Sequence, residues 1–341
     1  MATKKEITIY DLADKLKISP TTVSRGLKDH PSINKATKKR IFDLAEEVGY
    51  RTNHFARNLR QQRTNTIGVI VPLLISNFTS TVIAGMENVV NKAGYNLLIS
   101  QSLESYKKEV ANAKTMFDSR VDGLLVSLAN ESMNIDHFDL FFNKNLPLVF
   151  FDRVEEHKNC TSIMIDNRKA AYNVTTHLIK QGCKRIVHIT TILNRNVYID
   201  RLNGYKEALS ENDIKFKEEY LIIGNLSQDA GAKAAEIIRQ MSPLPDAVFA
   251  ANDITAVGCI LALNRAGIRV PEDIAVAGFN NDPVSRVIEP NLTTIDYRGY
   301  EMGETAAQHM INHLTGLSNI KTTHTIILRS ELITRASSLK S

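Results

Sequence analysis

From residue 66 onward, short apolar runs alternate with amphipathic helical segments, and this alternation restricts the fold more than any other feature of the sequence. Short apolar runs between turn residues are typical of buried strands, whereas apolar residues three or four positions apart are typical of helices. A repeated strand–helix–strand pattern predicts parallel sheets covered by helices. The predicted strands include 67–71, 95–99, 123–126, 148–151, 186–189, 247–250 and 274–277, and the predicted helices include 79–93, 107–120, 168–181, 200–211, 229–241 and 256–266.

This α/β region is about 275 residues long, which exceeds one doubly wound sheet, so we expect two similar lobes. It contains none of the motifs GxGxxG, Walker A, GxSxG or HExxH that carry cofactor binding or catalysis. We therefore predict no catalytic residue, no cofactor and no metal site. His177, His188 and His309 lie on apolar or helical faces, which favours packing or surface roles over ligand roles.

The three cysteines, Cys160, Cys183 and Cys259, are far apart and form no CxxC pair, so neither a disulfide framework nor a zinc site is predicted. The first residues lack the apolar core of a signal peptide. No run reaches the roughly 18 apolar residues that span a bilayer. The sequence therefore predicts a cytoplasmic protein in a reducing compartment, without membrane contact.

Before residue 50 the pattern is different and predicts three short helices. Thr8, Ser19 and Asn34 are good capping residues at the three predicted starts. The first two helices are joined by a tight turn, which is typical of a helix-turn-helix. The second of them, residues 20–28, would enter the major groove of DNA.

The charge distribution supports this interpretation of the first segment. Residues 1–65 hold 14 Lys or Arg against 7 Asp or Glu, whereas the remainder holds 28 against 30. A small basic head on a slightly acidic body is typical of DNA-binding proteins. The face of helix 20–28 opposite Val23 and Leu27 is polar and positively charged, as readout of base edges requires. The spacing of residues also fits a small structural helical bundle.

Residues 7–60 resemble the DNA-binding head of the LacI/GalR repressor family, in the T-V-S-R of the second helix, the V-G-Y after the third and the following N-x-x-A-x-x-L. The resemblance implies that residues 1–52 form a helix-turn-helix head that binds double-stranded operator DNA. Pro20, Thr21 and Arg25 occupy its base-reading positions; Arg25 would bond a guanine or, alternatively, clamp a phosphate. The phosphate-contacting positions are occupied by Thr22, Ser24 and Asn53.

Residues 53–65 form a short, basic, polar segment that by composition would be a linker. Its apolar residues Phe55, Ala56 and Leu59 nevertheless have the spacing of a marginal helix. The resemblance implies that two copies of this segment bind the minor groove as helices. There Leu59 would wedge a base step, Ala56 would permit entry into the groove and Arg57 would contact the DNA backbone. A packing role for Leu59 against the body is the alternative.

Residues 66–341 resemble the effector domain of the same family, a two-lobed doubly wound α/β fold like that of periplasmic sugar-binding proteins. The matching motifs are GVIVP, RVDGLLVS, VFFDR, DRLNGY, VFAANDITAVG, VAGFNNDP and EPNLTTI. They begin or end at strand ends, where open α/β sheets place ligands. The resemblance implies a ligand cleft between the lobes, lined by Phe78, Arg153, Arg201, Asn252, Asn280 and Tyr297.

This set of side chains suits a polyhydroxylated, sugar-like ligand. Arginine and asparagine side chains bond hydroxyl groups, and an aromatic ring covers the CH groups of a sugar. The family often has aspartate where Asn280 stands, and Asp282 is a carboxylate nearby. The residues leave open which of the two replaces that aspartate. Without that aspartate, two arginines would face the ligand with no carboxylate beside them. An anionic sugar derivative therefore stays an alternative ligand.

The whole sequence thus predicts a small all-α head followed by a two-lobed α/β domain. The predicted function is a transcriptional repressor of carbon-utilisation genes, released from operator DNA by a small-molecule effector. We expect a homodimer, because the chain ends shortly after ELITRAS without the leucine heptads that make tetramers. The alternatives are a regulator whose ligand strengthens DNA binding, a transport-linked sugar-binding protein and a sugar-modifying enzyme.

Overall fold

The computed structural model of the protein describes residues 7–50, 63–322 and 324–340. The chain divides into two compact units, Met1–Thr64 and Asn65–Ser341. The described part of the first unit is helical, and the second unit alternates strands and helices. The predicted architecture of a small helical head and an α/β domain is confirmed.

Residues 7–50 of the head form three helices, and a side chain caps the start of each. The backbone N–H of Asp11 donates to Thr8 Oγ1, and the carboxylate of Asp11 accepts from the backbone N–H of Thr8, which completes a capping box. Ser19 and Asn34 accept from backbone N–H groups in the first turns of the other two helices. The helices are α1 (Ile9–Leu16), α2 (Pro20–Leu27) and α3 (Lys35–Glu47), around a core of Leu12, Ala13, Val23, Ile41 and Ala45.

The second unit repeats strand and helix along most of its length. Its strands are β1 (Thr66–Val71), β2 (Asn96–Gln101), β3 (Gly123–Val126), β4 (Leu148–Phe151), β5 (Thr161–Ile165), β6 (Ile186–Thr190), β7 (Leu221–Ile223), β8 (Ala247–Ala250), β9 (Ala275–Ala277), β10 (Thr294–Asp296), β11 (Thr325–Leu328) and β12 (Glu331–Ile333). Its α-helices are α4 (Asn77–Lys92), α5 (Tyr106–Asp118), α6 (Asp139–Asn143), α7 (Asn167–Lys180), α8 (Asn196–Glu211), α9 (Gln228–Ile238), α10 (Asp253–Arg265), α11 (Val284–Val287) and α12 (Gly299–Leu314).

These elements form two lobes, each built on a parallel sheet. The N-lobe sheet has the strand order β11-β5-β4-β3-β1-β2, and the C-lobe sheet has the order β7-β6-β8-β9. Strands β10 and β12 form a separate antiparallel pair. The chain passes between the lobes three times, from β5 to α7, from β10 to α12 and from β11 to β12. The predicted two-lobed arrangement is therefore confirmed.

Strand ends place the predicted cleft residues. Strands β1, β3, β4, β6 and β8 are almost wholly buried, because helices cover the sheets from both sides. Neighbouring parallel strands bring their C-terminal ends to one edge of a sheet. Asp152 and Arg153 follow β4, Asn252 lies two residues beyond β8 and Tyr297 follows β10. Arg153 and Asn252 therefore lie where open α/β sheets bind ligands, and Tyr297 lies in the connection between the lobes.

The three histidines that were predicted to lie on apolar or helical faces have packing or hydrogen-bonding partners. His188 lies fully buried in β6 between the rings of Tyr205 and Phe249, with centroids 5.3 and 4.6 Å away. Burial lowers its pKa to about 4, so the ring is neutral at pH 7.

Among the described residues, no group of His, Cys, Asp and Glu could hold a metal ion, and no helix is long and apolar enough to cross a membrane.

Candidate DNA interface and effector cleft

Helix α2 presents a polar face to solvent. Its apolar side, Val23 and Gly26, is buried in the head, whereas Thr21 and Arg25 are exposed on the other side. Within the described part of the chain, the guanidinium of Arg25 has neither an ion pair nor a hydrogen bond. An exposed arginine free of protein partners is able to bond the O6 and N7 of a guanine.

The remaining head residues of the predicted DNA interface lie around the start of α2. Pro20, Thr22 and Ser24 are partly exposed. The hydroxyl of Thr22 lies 2.8 Å from that of Ser19, so it is tied into the helix cap. This arrangement leaves short hydroxyl groups at a helix N-terminus, which is a favourable place for phosphate oxygens.

Gly26 is an unusual residue for the middle of a recognition helix, because glycine weakens a helix by up to about 1 kcal/mol relative to alanine. The structure places it against α3. A β-carbon at this position would overlap with Cδ1 of Ile41, a fully buried core residue. The glycine therefore permits close packing of α2 on α3 within the head.

Most of the segment proposed to bind the minor groove, residues 53–62, lies outside the described residues. This applies to Asn53, Ala56, Arg57 and Leu59. Their roles stay predictions from the family resemblance.

Two stacked aromatic rings and Arg201 lie together at the centre of the predicted cleft. Phe78, at the start of α4, stacks on Tyr297, with ring centroids 4.4 Å apart. The guanidinium carbon of Arg201, on α8, lies 3.6 Å from the ring centroid of Phe279 and 5.5 Å from that of Tyr297. The structure therefore brings together three of the predicted residues, Phe78, Arg201 and Tyr297, from both lobes and from the connection between them.

Hydrogen bonds fix the orientation of Arg201. Its Nε donates to Asn167 Oδ1 over 2.9 Å, and its Nη1 donates to the carbonyl oxygen of Ala251 over 2.7 Å. No described residue accepts a hydrogen bond from Nη2. The side chain is 4% exposed, and burial lowers its pKa. Arg201 thus serves as an anchor within its lobe and keeps one nitrogen for another acceptor.

Asp152 supplies a carboxylate that the sequence interpretation missed. It follows β4 directly, and its Oδ1 accepts from the hydroxyl of Tyr297 over 2.5 Å. Its Oδ2 accepts from Ser127 over 3.4 Å. Burial raises the pKa of Asp152, while Arg153 opposes this effect. The motif VFFDR carried the signal, since an Asp–Arg pair directly after a buried strand lies at the ligand edge of a sheet.

Arg153 is held by partners from both lobes. Its Nη1 donates to both carboxylate oxygens of Glu104, over 2.9 and 2.7 Å. Its Nη2 donates to the hydroxyl of Tyr198 over 2.8 Å. Glu104 and Tyr198 were not predicted as site residues, because neither is near Arg153 in sequence. Both become neighbours of Arg153 only when the strand ends assemble.

Asn252 and Asn280 lie at the same edge and are bonded to their own lobe. Asn252 caps α10: its Oδ1 accepts from the backbone N–H of Thr255 over 3.0 Å, and its Nδ2 donates to the carbonyl of Leu226 over 2.9 Å. Asn280 has a left-handed backbone (φ +117°), and its backbone N–H donates to the carbonyl of Ile295 over 3.1 Å. Ala251, which precedes Asn252, and Phe279, which precedes Asn280, both contact Arg201.

The segment before α8 and its first residue join the lobes across the cleft. Asn194 donates to the carbonyl of Asn130 over 3.2 Å, and Arg195 donates to the carbonyl of Ser132. Asn196 donates to the carbonyl of Asp152 over 3.2 Å and accepts from the N–H of Val154 over 3.0 Å. These contacts hold the two lobes together over the site.

Comparison with known proteins agrees with this architecture. Residues 8–53 match the family described as bacterial regulatory proteins, lacI family, and residues 175–338 match the periplasmic binding protein-like domain. The HTH-type transcriptional regulator RegA of Clostridium saccharobutylicum is 31% identical over 97% of this chain and 99% of RegA. The chain belongs to the LacI family. Another member, the HTH-type transcriptional repressor CytR of Escherichia coli K12, is 31% identical over 91% of this chain and 90% of CytR.

A solved LacI-family structure has the same fold. The lac repressor dimer bound to operator and the anti-inducer ONPF has a TM-score of 0.87 at 23% identity, covering 98% of this chain and 100% of that one. RegA and CytR are by name transcriptional regulators and not enzymes. Membership of the LacI family makes the head described above a DNA-binding domain of a transcriptional regulator.

Proposed function

We propose that the protein is a homodimeric repressor of carbon-utilisation genes that acts in the cytoplasm and is controlled by a sugar-like effector. The observation that carries the proposal is the exposed face of α2, where Arg25 has no protein partner among the described residues. Two such heads would read the two halves of an operator, since helix-turn-helix dimers bind half-sites one helical turn apart. Pro20, Thr21 and Arg25 would read bases, and Thr22 and Ser24 would contact phosphates.

The cleft has the chemistry to recognise hydroxyl groups. Arg201 Nη2 offers a donor, Asp152 offers acceptor positions beyond the bond from Tyr297, and the aromatic rings of Phe78 and Tyr297 offer apolar surface. Asn252 and Asn280 would complete the rim from the C lobe. Glu104 and Asp152 are bonded by Arg153 and Tyr297 respectively, which favours binding over acid–base catalysis.

Ligand binding would reach the DNA through the relative position of the lobes. The effector site and the contacts of residues 194–196 lie at the same strand ends, so a ligand that alters these contacts changes how the lobes close. Coupling of this kind between two sites is typically about 1–3 kcal/mol and is reciprocal. We propose that effector binding weakens operator binding by this amount.

The test is operator binding by the full chain, measured by gel shift on the DNA flanking its own gene, with and without pooled sugars. Specific binding that a sugar weakens supports the proposal. Binding that a sugar strengthens would make the protein a co-repressor-dependent regulator. Sugar binding without any specific DNA binding would instead favour a transport or enzymatic role.

A further inference from the structure

Glu104 has a left-handed backbone conformation, which contacts with neighbouring residues must stabilise. Leu103 and Glu104 have φ values of +52° and +63°, so two successive residues other than glycine adopt the left-handed conformation. Such residues persist only where neighbouring contacts hold them, and they are concentrated at ligand sites. The contacts here are two bonds from Arg153 and a bond from the N–H of Asn130 to Glu104 Oε2 over 2.9 Å.

Both terminal nitrogens of Arg153 are already bonded to protein atoms. Its Nη1 is shared between both oxygens of Glu104, and its Nη2 is bonded to Tyr198. The side chains of Arg153 and Glu104 are only 12% and 28% exposed, so water screens this pair little. A hydrogen bond between a guanidinium and a carboxylate joins two charged groups and is among the stronger protein hydrogen bonds. An anionic ligand would have to break it before using Arg153.

Carboxylates also lie near the other arginines of the predicted cleft, without a hydrogen bond to them among the described residues. The charge of Asp152 acts on both Arg153 and Arg201. Arg195 lies 3.8 Å from the carboxylate of Glu155. An incoming phosphate or carboxylate would thus meet arginines that already face carboxylates of the protein.

We infer that Glu104 is a specificity-determining residue that makes the cleft accept uncharged, hydroxylated effectors and reject sugar phosphates and sugar acids. The inference rests on the proposed function, since it concerns the ligand of the same cleft. Glu104 achieves this by neutralising Arg153 and holding it towards Tyr198. The anionic effector that the sequence left open is thereby disfavoured.

Inorganic phosphate is the probe that tests the inference without knowledge of the effector. Its binding to the full chain is measured by calorimetry at constant ionic strength, with chloride as the reference ion. Glu104→Gln, which keeps the shape but removes the charge, should bind phosphate about tenfold more tightly than the wild type. The double variant Glu104→Gln with Arg153→Gln should lose this gain. Glu207→Gln is the matched control, because it frees Arg168 from an exposed pair of 2.7 Å elsewhere in the C lobe.

The inference is overturned if Glu104→Gln binds phosphate no better than the wild type, or if the gain survives removal of Arg153. Should Glu104→Gln fail to fold, the phosphate affinity of the wild type is compared with that of Arg153→Gln. Equal affinities support the inference, because Arg153 then does not bind phosphate in the wild type. A weaker affinity of Arg153→Gln overturns it. Failure of the proposed function has a different signature, namely operator binding that no sugar changes. The phosphate result is independent of that signature.

Discussion

Arg25 and Arg201 have opposite surroundings, and these surroundings decide what each can do. Arg25 is exposed and has no protein partner among the described residues, so its guanidinium is available to DNA. Arg201 is buried and anchors Asn167 and Ala251, and only its Nη2 is left for a ligand. A substitution at Arg25 should therefore affect binding alone, whereas one at Arg201 should affect both binding and stability.

Arg25→Ala should weaken specific operator binding by about 1–3 kcal/mol and relax discrimination at one base pair in each half-site, because a bidentate contact to a base is lost. Anisotropy titrations on operator and on random DNA measure both effects. Arg40→Ala removes the same charge from the exposed surface of α3 and serves as the control. An equal loss of affinity for both DNAs would show that Arg25 clamps a phosphate.

Arg201→Ala should abolish the effector response and also lower the stability of the α/β unit. Asn167 Oδ1 and the carbonyl of Ala251 would each lose a buried donor, and a buried acceptor left without a partner costs about 1–3 kcal/mol. Calorimetry with an effector found by gel shift measures the first effect, and thermal unfolding measures the second. Retained effector affinity would contradict the placement of Arg201 in the site. Arg168→Ala, on the exposed surface of α7, should change neither.

At the scale of elements, the start of α10 holds the loop that carries Asn280. Asp253, the first residue of the helix, is fully buried, and its carboxylate accepts from the hydroxyl of Thr294 over 2.6 Å and from the N–H of Asp282 over 2.7 Å. Burial raises the pKa of Asp253 to about 7. One helix terminus therefore ties strand β10 and the loop after β9 to the cleft edge.

This raised pKa predicts a pH dependence with a definite sign. Between the ordinary value of 3.8 and about 7, the folded protein keeps a proton on Asp253 that the unfolded chain has released. The free energy of unfolding should then fall as pH rises through this window and level off above it. Burial also raises the pKa of Asp282, to about 6, which adds to the slope.

Asp253→Asn should reduce that slope, because the amide has no proton to release. Denaturant titrations of the full chain from pH 4 to pH 7.5 measure it. Asp273→Asn is a suitable control, since the hydrogen bond from Arg269 lowers the pKa of Asp273 to about 2, below the window. A wild-type protein whose stability increased steadily from pH 4 to 7 would contradict this account of Asp253.

At the scale of the whole molecule, strand β2 leaves an apolar edge on the N lobe. Among the described strands it pairs with β1 alone, and Leu98 and Ile99 are 36% and 38% exposed. The backbone N–H of Leu74 bonds Gln101 at the end of β2, and the adjacent Ile75 is 91% exposed. Exposed apolar edge strands promote association unless they are covered. In the proposed dimer, a second copy of the chain would cover this edge.

Leu98→Asp should therefore convert the proposed dimer to a monomer and weaken operator binding, because one head alone engages one half-site. Sedimentation at micromolar concentration and anisotropy on operator DNA measure the two effects. Leu317→Asp, at an exposed leucine beyond α12, is the control and should stay dimeric. A dimeric Leu98→Asp protein would place the interface elsewhere.

The sequence by itself determined the elements and the family. Capping residues at Thr8, Ser19 and Asn34 and local periodicity specify the helices of the head, because these signals act over one helical turn. The alternation of strand and helix after residue 66 specifies two parallel-sheet lobes for a similar reason. The family resemblance of the α/β domain also placed Phe78, Arg201 and Tyr297 in one predicted cleft, and the structure brings these three side chains together.

Only the tertiary structure decided how charges pair within that cleft. Glu104 bonds Arg153 across 49 residues, and Tyr297 bonds Asp152 across 145 residues. These pairs depend on which strand ends become neighbours in the folded sheets, and nothing in the local pattern encodes that order. The same holds for Gly26, whose role follows from its contact with Ile41 and not from its place in a recognition helix. Local signals specify elements, whereas the partners of a buried charge are set by packing between elements that are distant in sequence.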